Sequence, residues 1–145
     1  MAITQSVATS FKVELMTGIH DFSTDTFKIA LYTSSAALDQ TVTAYTATNE
    51  VSGTGYTAGG NTLAVSVSPT SANNSSGIGT AYISFSNTTW TASTITARGA
   101  LIYNSSKANR AVAVLDFGAD KATSNDTFAV NFPTADANYA IVRIS

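Results

Sequence analysis

The chain has 145 residues, 44% hydrophobic and only 11% charged, with a net charge of -2 and no cysteine. That length makes one ordinary domain able to bury a core without disulfides, and it rules out thiol nucleophiles and thiolate metal sites. An acidic balance without any basic run argues against a surface for nucleic acid, so none is expected as a partner.

Residues 1–9 begin without a basic start or an apolar stretch, which excludes a secretory signal, and no membrane-length apolar run follows. A chain made in the cytoplasm with no membrane partner is the expectation. These nine residues have no clear period and read as an N-terminal arm ahead of a single domain at residues 10–145. From Ser10, the residues Phe11, Leu15, Ile19 and Phe22 recur every three or four positions, the stripe of one short helix. Ser10 or Thr9 is the expected cap, and Gly18 the expected end.

Beyond the helix the period is two. Strands are expected at residues 26–33, 62–68, 80–86, 98–103, 110–117, 126–132 and 139–144, with a short one near 42–46. Turn residues separate them, and 18 Ser and 23 Thr fill positions where charge is usual. The fold class is therefore all-β: a jelly-roll-like β-sandwich of about eight antiparallel strands with one short N-terminal helix. Two connections, residues 34–61 and 69–79, exceed hairpin length and are candidates for function.

Catalytic chemistry finds few parts. His20 is the one histidine and reads as a solvated side chain at a helix end. Asp116, Asp120 and Asp126 read as turn residues, with a glycosidase-like carboxylate pair as the remote hydrolase alternative. The glycines from Gly53 to Gly60 lack the Lys-Ser/Thr end of a phosphate loop and read as backbone turns. Trp90 is either an exposed anchor for glycan or protein, or a side chain tucked under a sheet end. No catalytic residue, cofactor or metal ligand is assigned.

Interaction is the remaining reading. Strands of Thr, Ser, Val and Ala with two prolines leave sheet edges short of their usual guards, which suits edges paired with a neighbour. Low charge density also fits a protein working inside an assembly.

One block carries more information. It runs Ser10-Phe11-Lys12-Val13-Glu14-Leu15-Met16-Thr17-Gly18-Ile19-His20-Asp21-Phe22, then Asp25-Thr26-Phe27-Lys28-Ile29-Ala30-Leu31-Tyr32-Thr33. Leu38, Tyr45, Asn49-Glu50-Val51 and Gly55-Tyr56-Thr57-Ala58-Gly59-Gly60 follow. This block resembles small structural proteins of tailed bacteriophages, most of all the capsid cement (decoration) proteins. The resemblance implies a non-enzymatic protein on the outer capsid surface of the virion, bridging neighbouring capsomers. Its implied partners are the major capsid protein and further copies of itself, as a homodimer or a trimer. A tail or neck position, as adaptor, spike or receptor-binding module, is the alternative. The expected contact segments are residues 2–9, with Ile3, Thr4, Gln5 and Val7, residues 36–48, with Leu38 and Tyr45, and residues 70–79, with Asn73, Asn74 and Ile78. Trp90 completes the expected contacts.

Overall fold

Residues 2–145 are described by a computed structural model. In chain order its elements are β1 (Ser6–Val7), α1 (Thr9–Met16), β2 (Phe27–Tyr32), β3 (Asn61–Leu63), β4 (Val65–Asn73) and β5 (Gly79–Phe85). They continue with β6 (Thr88–Ser93), β7 (Thr96–Asn104), β8 (Arg110–Ala122), β9 (Asp126–Val130) and β10 (Val142–Ile144). All the strand pairings are antiparallel. A five-stranded sheet has the order β1-β8-β7-β2-β3, a three-stranded sheet β10-β5-β4, and β6 pairs with β9 as a ribbon. The all-β sandwich with one short helix is thus what the alternation predicts, with ten strands rather than eight.

The core lies where the alternation is least polar. β2, most of β7 and the first half of β8 are buried on both faces. Phe27, Ile29 and Leu31 point to one side of β2, where Phe27 stacks on Phe22 at 4.4 Å and meets Phe85 of the small sheet at 5.9 Å. Ala30 and Tyr32 point to the other side. There the Tyr32 hydroxyl donates to the Thr46 carbonyl at 2.6 Å, so the long 34–50 connection covers that face. Burying each such large side chain stabilises the fold by about 1.5–3 kcal/mol.

Four expectations need correction. The expected arm is the edge of the domain: β1 pairs with Val114 and Ala113 of β8, Ile3 bridges Leu38, and the Ala8 amide donates to Val112. Met1, the first residue of that arm, lies outside the described residues. Residues 42–46 form no strand; one bridge, Ala44 to Arg110, straps them down. The run 62–68 breaks at Ala64 and feeds two different sheets, while β6 occupies a segment read as a turn. Finally, α1 starts after Ala8 with no side-chain cap.

The edges are better guarded than their composition implies. β1, β3 and β10 are two or three residues long. β4, the long edge, holds Pro69 inside an irregularity between Val67 and Thr70. Short edges, proline and bulges are the ordinary protections against strand addition. Association through these four edges therefore loses its premise.

Candidate functional site

One half-buried polar cluster, one buried polar cluster and one projecting hairpin hold the residues of interest. The first cluster gathers the later part of the motif block, from Tyr45 to Gly60. Glu50 sits beside the β2 end, bridged to Tyr32. Its carboxylate accepts from the Tyr45 hydroxyl at 2.7 Å, the Tyr56 hydroxyl at 2.7 Å and the Gly59 amide at 2.7 Å. Tyr56 in turn accepts from the Leu31 amide at 2.9 Å, and Tyr103 donates to the Gly59 carbonyl at 2.7 Å. Tyr45 stacks on Tyr103 at 4.9 Å.

The glycines of this segment are there for space. A Cβ on Gly60, whose φ is +72°, would stand 1.7 Å from the Ile29 carbonyl oxygen. One on Gly55, at φ +81°, would meet the Ser93 backbone at 2.8 Å. The glycine-rich segment is thus a loop clamped against β2 and β6 by one carboxylate. Charge-assisted hydrogen bonds of this kind are the strong class. Burial, reinforced by the Glu50 hydrogen bond and charge, pushes the Tyr45 hydroxyl up to about 12. Burial also raises Tyr32, Tyr56 and Tyr103 above the ordinary tyrosine value.

The second cluster corrects the reading of His20, whose side chain is fully buried rather than solvated. Its Nε2 lies 2.6 Å from Glu14 Oε2, and its Nδ1 lies 3.0 Å from Asn104 Nδ2. Asn104 Oδ1 accepts from the Ser106 amide at 3.0 Å, so its NH2 faces His20 and Asp25. His20 Nδ1 is therefore an acceptor, and Nε2 carries the proton toward Glu14. Arg110 reaches Glu14 Oε1 at 3.1 Å, and Lys107 approaches Asp25 at 3.7 Å. Burial works against the Asp25 carboxylate, yet the Asp21 amide, Asn104 and Lys107 hold its pKa below the usual range. Both nitrogens of the imidazole are spent on Glu14 and Asn104, so neither is offered to a substrate. The network ties α1 and the following turn to the β7–β8 corner.

The carboxylates of the remote hydrolase alternative are used locally. Asp116 accepts from Arg98 at 3.2 Å and from the Gly118 amide at 2.9 Å. Asp126 accepts from the Thr127 amide at 2.7 Å. The Gly118 amide lowers the Asp116 pKa, burial opposes it, and Arg98 adds a further lowering. Among the described residues no group of three or more His, Cys, Asp or Glu side chains is placed to hold a metal ion.

The expected contact residues separate cleanly by burial. Ile3 and Leu38 are core residues, and Ile3 packs where Gly99 leaves room. Trp90 is 4% exposed, packed beside Tyr56 and Phe128, with an indole N–H that has no partner. These three are unavailable as contacts, and Trp90 is no glycan platform. Val7 is half-buried in β1, Gln5 accepts from the Asp116 amide at 3.3 Å, and the Thr4 amide donates to Leu38. Tyr45 belongs to the Glu50 cluster. Residues 36–48 are accordingly a strap on the domain.

Thr4 and Gln5 stay exposed beside the β1 edge, and Asn73, Asn74 and Ile78 remain at the tip of the β4–β5 hairpin. The Asn74 side-chain oxygen accepts from the amides of Ser76 at 2.9 Å and Ile78 at 3.0 Å, which shapes the turn. The Ser75 amide donates to Asn138 at 2.8 Å and steadies the tip from outside. Ile78 is 51% exposed. Residues 51–97 contain not one Asp, Glu, Lys, Arg or His, so β3, β4, β5 and β6 are entirely uncharged.

The chain matches no family model, no curated protein and no solved structure.

Proposed function

We propose that the chain is a structural protein of a tailed-phage virion that binds the outside of the assembled capsid and bridges neighbouring capsomers. The observation that carries this reading is the projecting β4–β5 hairpin. Its surface from Ser68 to Asn73 and from Ser75 to Gly79 is exposed, uncharged, and made mostly of Ser, Thr, Asn and Ala. Such a surface forms many hydrogen bonds of small individual worth, with low desolvation cost and little dependence on salt. Repeated over a lattice, weak contacts sum to avidity, and a ligand specific for the assembled shell stabilises it by mass action. The two polar clusters supply a rigid scaffold from which the hairpin is presented.

The experiment is co-sedimentation of the purified chain with assembled capsids and with unassembled capsid protein. Binding to the shell alone, lost when Asn73, Asn74 and Ile78 are replaced together by Lys, is the expected result. Equal binding to unassembled subunits, or none to shells, contradicts the proposal.

A further inference from the structure

His20 is held by both ring nitrogens deep in the fold. Its side chain is fully buried beside Phe11 and Phe27, whose ring centroids lie 4.8 and 6.5 Å from the imidazole. Nε2 donates to Glu14, and Nδ1 accepts from the Asn104 NH2 at 3.0 Å. That wiring suits one state of the ring, the neutral imidazole with its hydrogen on Nε2.

A second proton has to sit on Nδ1, where it meets the N–H groups of Asn104. Turning the Asn104 amide over does not absorb it. Oδ1 would then point at the Asp25 carboxylate, which accepts from Nδ2 at 2.8 Å. The NH2 would face the Ser106 amide, which donates to Oδ1 at 3.0 Å. Asp25 keeps its charge in mild acid: burial works against it, but the Asp21 amide, Asn104 and Lys107 hold its pKa below the usual range. The other charged groups facing the ring are Glu14 of α1, paired with Arg110 of β8, and Lys107 of the β7–β8 turn, paired with Asp25. Asp21, next in the chain, spends its carboxylate on the Ser23 amide. Each carboxylate of the cluster already has a cation, so a proton on His20 adds charge to a buried site.

The turn that Asn104 opens carries more than itself. Ser105 donates through its hydroxyl to the Thr26 carbonyl at 2.9 Å, and the Thr26 amide donates to the Ser106 hydroxyl at 2.8 Å. The Asn109 carbonyl accepts from the Tyr45 amide at 2.9 Å, and the Ala111 amide donates to Thr43 at 3.0 Å. The strap that brings Tyr45 to Glu50 is thus fastened to the turn that His20 and Asn104 set. We propose that His20 is an acid-operated latch, whose second proton breaks the Asn104 links to Asp25 and Ser106 and loosens the β7–β8 turn with the strap at residues 43–45. The neutral ring holds the latch shut. The inference is independent of the virion reading and is tested on the isolated protein, so the two fail separately.

The test is amide hydrogen exchange by NMR, expressed as protection factors, in steps from about pH 7.5 to about pH 5, the range in which histidine changes charge. In wild type the Ser106, Tyr45 and Ala111 amides are expected to lose protection on the order of tenfold or more, while the β2–β7 pairing keeps its own. His20→Gln offers an acceptor and a donor with no proton to gain, so its protection is expected to stay level. Nitrogen-15 spectra of the wild-type imidazole follow the ring through the same steps, and they decide alone if His20→Gln does not fold. They are expected to show hydrogen on Nε2 at the start and uptake at Nδ1 in step with the loss of protection. Level protection while the ring takes up its second proton overturns the proposal. A ring still neutral at the acid end overturns it too, as does an equal loss in His20→Gln, which would assign the response to the carboxylates.

Discussion

The Glu50 and His20 clusters each centre on a carboxylate inside the domain, but they are wired along the chain in opposite ways. The Glu50 side chain finds its partners five, six and nine residues away, with Leu31 and Tyr103 joining the cluster from β2 and β7. The His20 cluster joins residues 84 apart through Asn104 and 96 apart through Arg110. The first is satisfied by neutral donors alone. The second balances Glu14 and Asp25 against Arg110 and Lys107, both of which reach into solvent. A short-range knot shapes one loop and shows in sequence as a motif. A long-range network fixes how distant elements meet: Glu14, His20 and Asp25 lie in the sequence block, but their partners Asn104, Lys107 and Arg110 do not.

Breaking the knot sterically has the largest expected effect. Gly60→Ala drives a Cβ into the Ile29 carbonyl at a left-handed backbone position. It is expected to cost about 4 kcal/mol or to abolish folding, read by urea denaturation. Asn104→Ala attacks the network, leaving His20 Nδ1 and Asp25 without their shared donor. A loss of about 3 kcal/mol is expected. A double-mutant cycle with His20→Ala should show strong coupling between the two sites, whereas additivity would deny that they form one unit.

Glu50→Gln keeps the shape of the knot but removes its charge, at an expected cost of about 2 kcal/mol. It also sharpens the comparison through pH. The tyrosines of the knot have folded-state pKa values raised above their unfolded value. Their contribution is complete below pH 10 and is lost as pH rises through the folded value, about 12 for Tyr45. Tyrosinate absorbance should therefore rise late in wild type, and earlier in Glu50→Gln, where burial remains but the repelling charge is gone. Superimposable titrations would remove Glu50 from the account. The smallest effect is expected at Trp90→Phe, since the indole N–H makes no hydrogen bond to lose. A change under about 1.5 kcal/mol is expected by thermal denaturation.

The same contrast explains what the sequence made legible. Alternation located β2, β5, β7, β8 and β9 because their buried faces are apolar at every second residue. It missed β1, two residues long, and β6, whose Thr88-Thr89-Trp90-Thr91 carries one apolar anchor among threonines. The Glu50-to-Gly60 motif was visible as a block, although nothing in its spacing showed the carboxylate as the hub. His20 was misread because a helix end is usually wet, and only the fold brings Asn104 over it. Ile3, Leu38 and Trp90 are apolar residues in segments without periodicity, so their burial rests on long-range packing that one-dimensional pattern does not encode. Asn73, Asn74 and Ile78 fell in a connection read as too long for a hairpin; it is a hairpin, because β4 continues through Pro69 to Asn73 and pairs with β5 from Gly79.

The most direct measurement is the copy number of this chain in purified phage particles, by quantitative mass spectrometry against the major capsid protein. The account predicts one copy per capsid subunit, or a simple fraction of that number. A few copies to a few dozen would contradict the capsid role and place the chain in the neck or tail, and absence from particles would contradict the virion role altogether.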